Sequence, residues 1–322
     1  MNYFLAFVWS VEHRKEAGMR PLRIPALLGA LLCAAGLLAI PGKAFSQVPR
    51  GVFSIPNDQA PVPGQVLADP DVDGISAGDV AGRRAVLYAA KGTFGVQGIL
   101  YTLDPATGAV LTTVGPLNDA AGNNYGMGGL RYHPITGIFY GATATSSPTN
   151  PNYLVIVDPA TALVTPIGPF GVGALLTDIA IDPTTGIMYG VSGNNQKFYT
   201  INTATGQAVQ TGSTGIGYQN GGGLAADRTG ALFGIDNFFF YSYNKTTGMA
   251  TLIGPTVLAN LVRAADFNRS NNVMYGLEGG GGIDNLHLRF LVTFDVTTGL
   301  GTRLGQITVG DLDALAFIPV RR

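Results

Sequence analysis

Few side chains in this 322-residue sequence are of types that do chemistry. Beyond residue 46 there is one Glu (Glu278), two histidines (His133 and His287), and no Cys or Trp. A Ser–His–Asp set needs three convergent groups. His133 instead stands where sister segments have Asp or Asn opening a turn. Two histidines without thiols make a poor zinc centre, and a quinone cofactor built from Trp has no precursor. Gly279–Gly282 lacks the Lys and Ser/Thr of a phosphate-binding loop. Aspartate is plentiful, so paired-carboxylate hydrolysis stays open, although no pair is marked by spacing. One acidic run has a meaningful spacing. Asp69-Pro-Asp71-Val-Asp73-Gly74-Ile75 matches the opening of a calcium loop, with oxygen ligands at positions 1, 3 and 5, a turn Gly, and a carbonyl at 7. The closing acid belongs at position 12, where Val80 stands; Asp79 is one position early. No cofactor is expected apart from calcium at Asp69, Asp71, Asp73 and Asp79. A plain acidic surface loop is the competing reading.

The elements that must position these residues repeat along the chain. One phrase occurs five times: an apolar strand, an Asp or Asn, and a short turn that ends, in four copies, on Gly. Its polar residues are Asp104, Asp158, Asn202, Asn244 and Asp295, spaced by 54, 44, 42 and 51 residues. The Asp or Asn side chain opens the turn by accepting a bond from backbone ahead of it, and Gly takes the positive φ. A second phrase puts an aromatic at a fixed place in a short strand, at Tyr88, Tyr140, Tyr189, Phe233 and Tyr275. Four of these copies follow another strand and turn; the first copy lacks that leading strand. The missing strand is found at the end of the chain, in Leu312–Ile318. The reading is an all-β, five-bladed β-propeller of four-stranded antiparallel blades, its ring closed by the C-terminal strand. A further blade in 50–84 is disfavoured by Pro49, Pro56, Pro61, Pro63 and Pro70.

The phrases LYTLDPATGAVLTTVG (100–115) and IAIDPTTGIMYG (179–190) resemble secreted bacterial β-propeller repeat proteins, a loose group largely without assigned function, related in style to NHL-type and YVTN-type repeats. The resemblance spans about 86–319 and implies a fold. It implies no activity, because strands and turns are what is shared.

Aligning the inner strands puts Gly128, Thr177, Gly222, Arg263 and Asp313 on one level, and Gly129, Asp178, Gly223, Ala264 and Ala314 on the next. Arg131, Ala180, Ala225, Asp266 and Ala316 stand two further along. Arg263 and Asp313 are thus predicted to form an ion pair, either as a structural link or as a ligand-orienting group. Asp178 is a further candidate in the bore. The loops feeding this face carry Asn123, Asn124 and Tyr125, then Tyr218, Gln219 and Asn220. These are groups suited to a glycan- or peptide-contacting rim, and also ordinary turn formers.

Residues 1–46 read as a signal peptide. Arg20 and Arg23 precede an apolar run from Ala26 to Ile40, then Ala44-Phe45-Ser46; Met19 is an alternative start. Residues 47–84 read as an extended loop segment and 85–320 as the propeller. Removing 1–46 takes five basic residues (Arg14, Lys15, Arg20, Arg23, Lys43) and two acidic ones (Glu12, Glu16), moving the formal charge from −1 to −4. That balance, without a long basic run, argues against nucleic acid. The apolar run is too short to span a membrane. The expectation is a secreted or periplasmic monomer. Its leading role is non-enzymatic, as a binding or scaffold module presenting a loop-bearing face to a glycan or protein. The alternatives are a propeller hydrolase or lyase acting on an extracellular sugar or lactone, and a purely structural envelope protein.

Overall fold

The computed structural model describes residues 85–92, 95–173, 176–193, 195–216, 222–279 and 289–320. These form five four-stranded antiparallel sheets, without an α-helix. Blade 1 contains β1 (Ala85–Lys91), β2 (Ile99–Leu103) and β3 (Val110–Pro116). Blade 2 runs through β4 (Met127–Tyr132), β5 (Phe139–Thr143), β6 (Tyr153–Val157) and β7 (Val164–Pro169). Blade 3 is β8 (Leu176–Ile181), β9 (Met188–Ser192), β10 (Lys197–Ile201) and β11 (Ala208–Ser213). Blade 4 is β12 (Leu224–Ala226), β13 (Leu232–Asp236), β14 (Phe239–Tyr243) and β15 (Ala250–Pro255). Blade 5 is β16 (Val262–Asn268), β17 (Val273–Glu278), β18 (Arg289–Phe294) and β19 (Gly301–Ile307). The last strand, β20 (Leu312–Pro319), returns to blade 1 and pairs with β1 from Ala85↔Pro319 to Lys91↔Leu312. It is the inner strand that the first repeat lacks, and it packs against inner strands β4 and β16 on its two sides. The protein is a five-bladed β-propeller whose ring is shut by its own C-terminal strand.

The repeated turns work as their residue types require. Oδ1 of Asp104, Asp158, Asn202, Asn244 and Asp295 accepts the backbone N–H two residues ahead at 2.8–2.9 Å. Four of the turns then place Gly108, Gly206, Gly248 or Gly299 at positive φ; Ala162 takes that conformation in blade 2 at φ 61°. The stretch from Gly108 to Gly115 is one residue longer than Gly206–Gly212, Gly248–Gly254 and Gly299–Gly305, and the pairing of β3 with β2 slips twice rather than once. Leu111 falls at the extra slip and is 64% exposed. An added residue in an edge strand leaves the ladder as a bulge.

Five apolar clusters fill the five spaces between blades. In β1, Leu87 and Ala89 face blade 5 while Ala90 faces blade 2. Such strands are covered on both sides, which is why a chain with 12% charged residues has so few polar positions in its strands.

Candidate functional site

The inner strands begin on a face that carries the connections between blades, here the loop face, and end in tight turns on the opposite turn face. On the axis between them lies Arg131, from β4, 1% exposed. A guanidinium has five N–H donors, and here each has a partner. Nε donates to the Ile179 carbonyl at 2.6 Å; Nη1 to Asp266 Oδ1 at 2.8 Å and the Leu315 carbonyl at 3.4 Å; Nη2 to Asp178 Oδ2 at 3.0 Å and the Leu224 carbonyl at 2.7 Å. Those acceptors come from β8, β12, β16 and β20, so one side chain ties all five inner strands together. The two carboxylates are held as well. Asp178 Oδ1 accepts from Ile179 N at 2.8 Å and its Oδ2 from Leu224 N at 3.1 Å; Asp266 Oδ2 accepts from Phe317 N at 2.8 Å. Burial works against the charge of Arg131, but Asp266 and Asp178 outweigh it and keep its pKa above the ordinary value. Burial pushes Asp178 up to about 7, against the pull of Arg131 and the backbone N–H groups. The bore is closed at this level.

Small residues make that closure tight. A Cβ on Gly129 would stand 2.8 Å from Asp178 Oδ1, and one on Gly223 would collide with Ala265.

Arg263 and Asp313 lie nearer the loop face. Their groups are 4.0 Å apart (Arg263 Nε to Asp313 Oδ1), so the predicted partners do meet. The nearer cation is Arg289, from β18, at 3.2 Å, which also donates Nε to the Leu312 carbonyl at 2.8 Å. Arg289 is fully buried; the Arg263 side chain keeps 17% of its surface in solvent and donates to the Gly279 carbonyl at 3.3 Å. Burial lowers the pKa of Arg263, Asp313 opposes that shift, and the like charge of Arg289 adds to it. Beside this group, buried Glu278 accepts two bonds of 2.6 Å from Arg303, and two from the backbone N–H of Ala259 and Asn260 at 3.1 and 3.0 Å. Arg303 also lies 4.2 Å above the Phe290 ring.

The first rim loop is committed to its own fold. Asn124 bonds both the N–H and the carbonyl of Gly98, at 2.7 and 3.0 Å, and reaches Asn118 Oδ1 at 2.8 Å. Asn123 bonds Asp119 through main and side chain. Tyr125 is 1% exposed, its hydroxyl bridging Asp119 at 3.1 Å and Asn150 at 3.2 Å. The second rim loop, with Tyr218, Gln219 and Asn220, lies outside the described residues, as do Asp69, Asp71, Asp73, Asp79, the signal segment with Met19, and residues 47–84. Among the described residues no group of three or more His, Cys, Asp or Glu could hold a metal ion, and no helix is long and apolar enough to cross a membrane.

His133 caps its turn. Nδ1 accepts from Ile135 N at 3.3 Å and Thr136 N at 3.4 Å. Burial lowers its pKa to about 4, with Arg269 adding to the effect.

The sequence alignment set Arg131 and Asp266 on one level yet did not pair them, and it missed Arg289. The available signal for Arg131 was a single charge in an inner strand, Met127–Tyr132, otherwise built of Met, Gly, Leu and Tyr. Arg289 follows a Gly-rich stretch that has no counterpart in the other repeats.

No protein-family model matches the chain, and no curated protein matches its sequence. Solved structures do resemble it. A chain of the nidogen/laminin complex is 11% identical, with a TM-score of 0.48 over 73% of this chain and 98% of that one. A structural-genomics protein of unknown function from Bacteroides thetaiotaomicron is 13% identical, at TM-score 0.44 over 72% of this chain and 66% of its own. A chain solved in work on the de novo emergence of a symmetrical protein is 18% identical, at TM-score 0.45 over 72% and 98%. The fold assignment rests on the five sheets themselves.

Proposed function

We propose that this propeller is an exported, non-enzymatic binding module that presents its loop face to a glycan or protein partner. One observation carries the reading. The two acids nearest the axis, Asp178 and Asp266, are both engaged by a buried guanidinium. A hydrolase would need carboxyl groups open to substrate and water. Among the described residues near the axis, the chemistry left toward solvent is the edge of Arg263, with Asp313 beneath it; the sequence offers Tyr218, Gln219 and Asn220 as further ligand contacts. Those groups hydrogen-bond a ligand without cleaving it. A glycan and peptide array with the chain from residue 47 tests the proposal. Binding that Arg263→Ala or Tyr218→Ala removes supports it. Turnover of a sugar or lactone by the purified protein would replace it with the hydrolytic alternative. Calcium at Asp69–Asp79 is checked in the same preparation: heat on titration, or a rise in melting temperature at millimolar calcium, identifies the site.

A further inference from the structure

Because the blades repeat, sister positions show what the fold needs at each place, and blade 4 departs from its sisters at one corner of its loop side. A bond just past each outer strand fixes the equivalence. Thr256 N donates to the Phe238 carbonyl at 2.8 Å, as Leu117, Phe170 and Thr214 donate to Gly98, Asn152 and Gln196 at 2.8–2.9 Å. The place that Gly, Asn and Gln fill in blades 1 to 3 thus holds an exposed Phe in blade 4. The next residue, Phe239, pairs with Pro255 and is also exposed, while its sisters Ile99, Tyr153, Lys197 and Phe290 are half-buried. On the outer strand, exposed Leu252 stands opposite Tyr241; at that pairing the other blades have Thr113, Pro166, Gln210 and Arg303. Two residues past the strand, the sisters are Asn118, Gly171, Gly215 and Thr308, and the two glycines take φ 68° and 69°. Blade 4 puts Val257 there, at φ 57° and 73% exposed. A β-branched residue is strained at positive φ, and a side chain so exposed recovers little of that by burial. Its neighbours impose the conformation: the Thr256 carbonyl accepts Gly301 N at 2.9 Å, and Leu258 packs into the apolar cluster between blades 4 and 5. From Asn237 to Leu258 the one charged residue is Lys245, which pairs with Asp182 at the turn face; Asp236, just before, is buried.

We propose that this corner of blade 4 is a self-association surface, on which a second copy of the chain packs the same patch about a twofold axis. The fold itself calls for none of these four exposed apolar side chains, and at Val257 it bears a strain that sister blades avoid with Gly. Phe238, Phe239, Leu252 and Val257 carry neither charge nor polar side-chain atoms, so the patch is complementary to itself. Two copies bring no like charges together there, and the formal charge of −1 adds little long-range repulsion. Aromatic residues are enriched at the centres of protein interfaces. A glycan fits this corner poorly, because sugar recognition needs hydrogen-bonding groups and these side chains offer none. The inference stands apart from the reading centred on Arg263, and it replaces the monomer expected from the sequence with a pair of copies.

Sedimentation velocity of the purified protein across the micromolar range tests the proposal. The unmodified protein shows a concentration-dependent equilibrium between one copy and two, which added salt does not weaken. Phe238→Ser lowers the association constant about tenfold or more. Val257→Gly lowers it as well, yet keeps or raises the melting temperature of the dilute protein, because Gly accepts the positive φ without strain. A residue serving only the fold would lower that temperature instead. Leu111→Ser, which removes an exposed leucine from blade 1, leaves the association unchanged and separates the patch from general stickiness. The proposal is overturned if the unmodified protein stays monomeric at high micromolar concentration. It also fails if both patch variants associate as the unmodified protein does, or if Leu111→Ser weakens the pair as much as Phe238→Ser.

Discussion

The axis and the loop face each hold an arginine–carboxylate cluster whose acids come from inner strands, and the two are built in opposite ways. At the axis one cation serves two acids, spends all five donors, and touches every blade. At the loop face two cations from blade 5 share Asp313 of β20, and Arg263 keeps an edge in solvent. A five-bladed ring must fill a narrow bore, and a single planar fork reaching carbonyls and carboxylates of all the strands does so while leaving no donor over. The difference separates a group enclosed on every side by the fold from one that reaches solvent at Arg263.

The comparison is broken most severely by Arg131→Ala. It strands two buried carboxylates and removes bonds to four strands, so the expected loss is about 3–5 kcal/mol by chemical or thermal unfolding. A triple replacement of Arg131, Asp178 and Asp266 with Met, Leu and Leu recovers much of it, since a well-packed apolar set can replace a buried ion group. If Arg131→Ala unfolds like the unmodified protein, the axis is not held in this way.

Next in size is a pH effect beside the axis. His133 is held near pKa 4 in the fold against about 6.5 in the unfolded chain. Between those values the unfolded chain takes up a proton that the folded chain refuses, so stability falls as pH drops from 6.5 to 4, by up to about 3 kcal/mol. Asp178, raised to about 7, acts with the opposite sign. The fold keeps a proton that the unfolded chain releases above about 4, so its contribution shrinks as pH rises from 4 to 7. The unmodified protein therefore shows a flattened profile. His133→Asn installs the residue that Asn268 supplies in blade 5, where Oδ1 accepts Ser270 N at 3.1 Å. Its stability relative to the unmodified protein should grow steadily on acidification. A constant difference across pH 4–6.5 would mean that His133 is not buried in its neutral form.

How far these clusters could be read from the sequence follows from what a repeat encodes. Asp104, Asp158 and their counterparts bond their own turns, a local property, so the strands, the five blades and the displaced β20 were legible without coordinates. Alignment also gives the level of a residue on the inner strand, which is why Arg263 and Asp313 were found together. It does not give which way a long side chain runs. Asp178 was assigned a different level from Arg131, but the long guanidinium side chain reaches across the gap between levels. Arg289 stands where the other copies have Gly98, Asn152, Gln196 and Phe238, so the repeat gave no reason to expect a buried cation there. For Asn123, Asn124 and Tyr125 the residue types suit a ligand or a turn equally, and only Asn124's bonds to Gly98, across to another loop, reveal where its polar atoms are spent.

The smallest effects sharpen the comparison inside the loop-face cluster. Arg289→Ala removes a buried guanidinium bonded to Leu312 and Asp313 and should cost about 2 kcal/mol. Arg263→Ala removes a side chain that is partly in solvent, 4.0 Å from a carboxylate which Arg289 still holds. Partial exposure screens its pairing, so the expected cost is under about 1 kcal/mol. In a propeller of this size that moves the melting temperature by no more than about 4 °C. The same variant should lose its loop-face ligand on the array. Stability kept and binding lost is the signature of a residue held for contact rather than for closure. A melting temperature lowered as far as by Arg131→Ala would show instead that the loop-face arginines brace the ring as the axial one does, and the contrast between the two clusters would disappear.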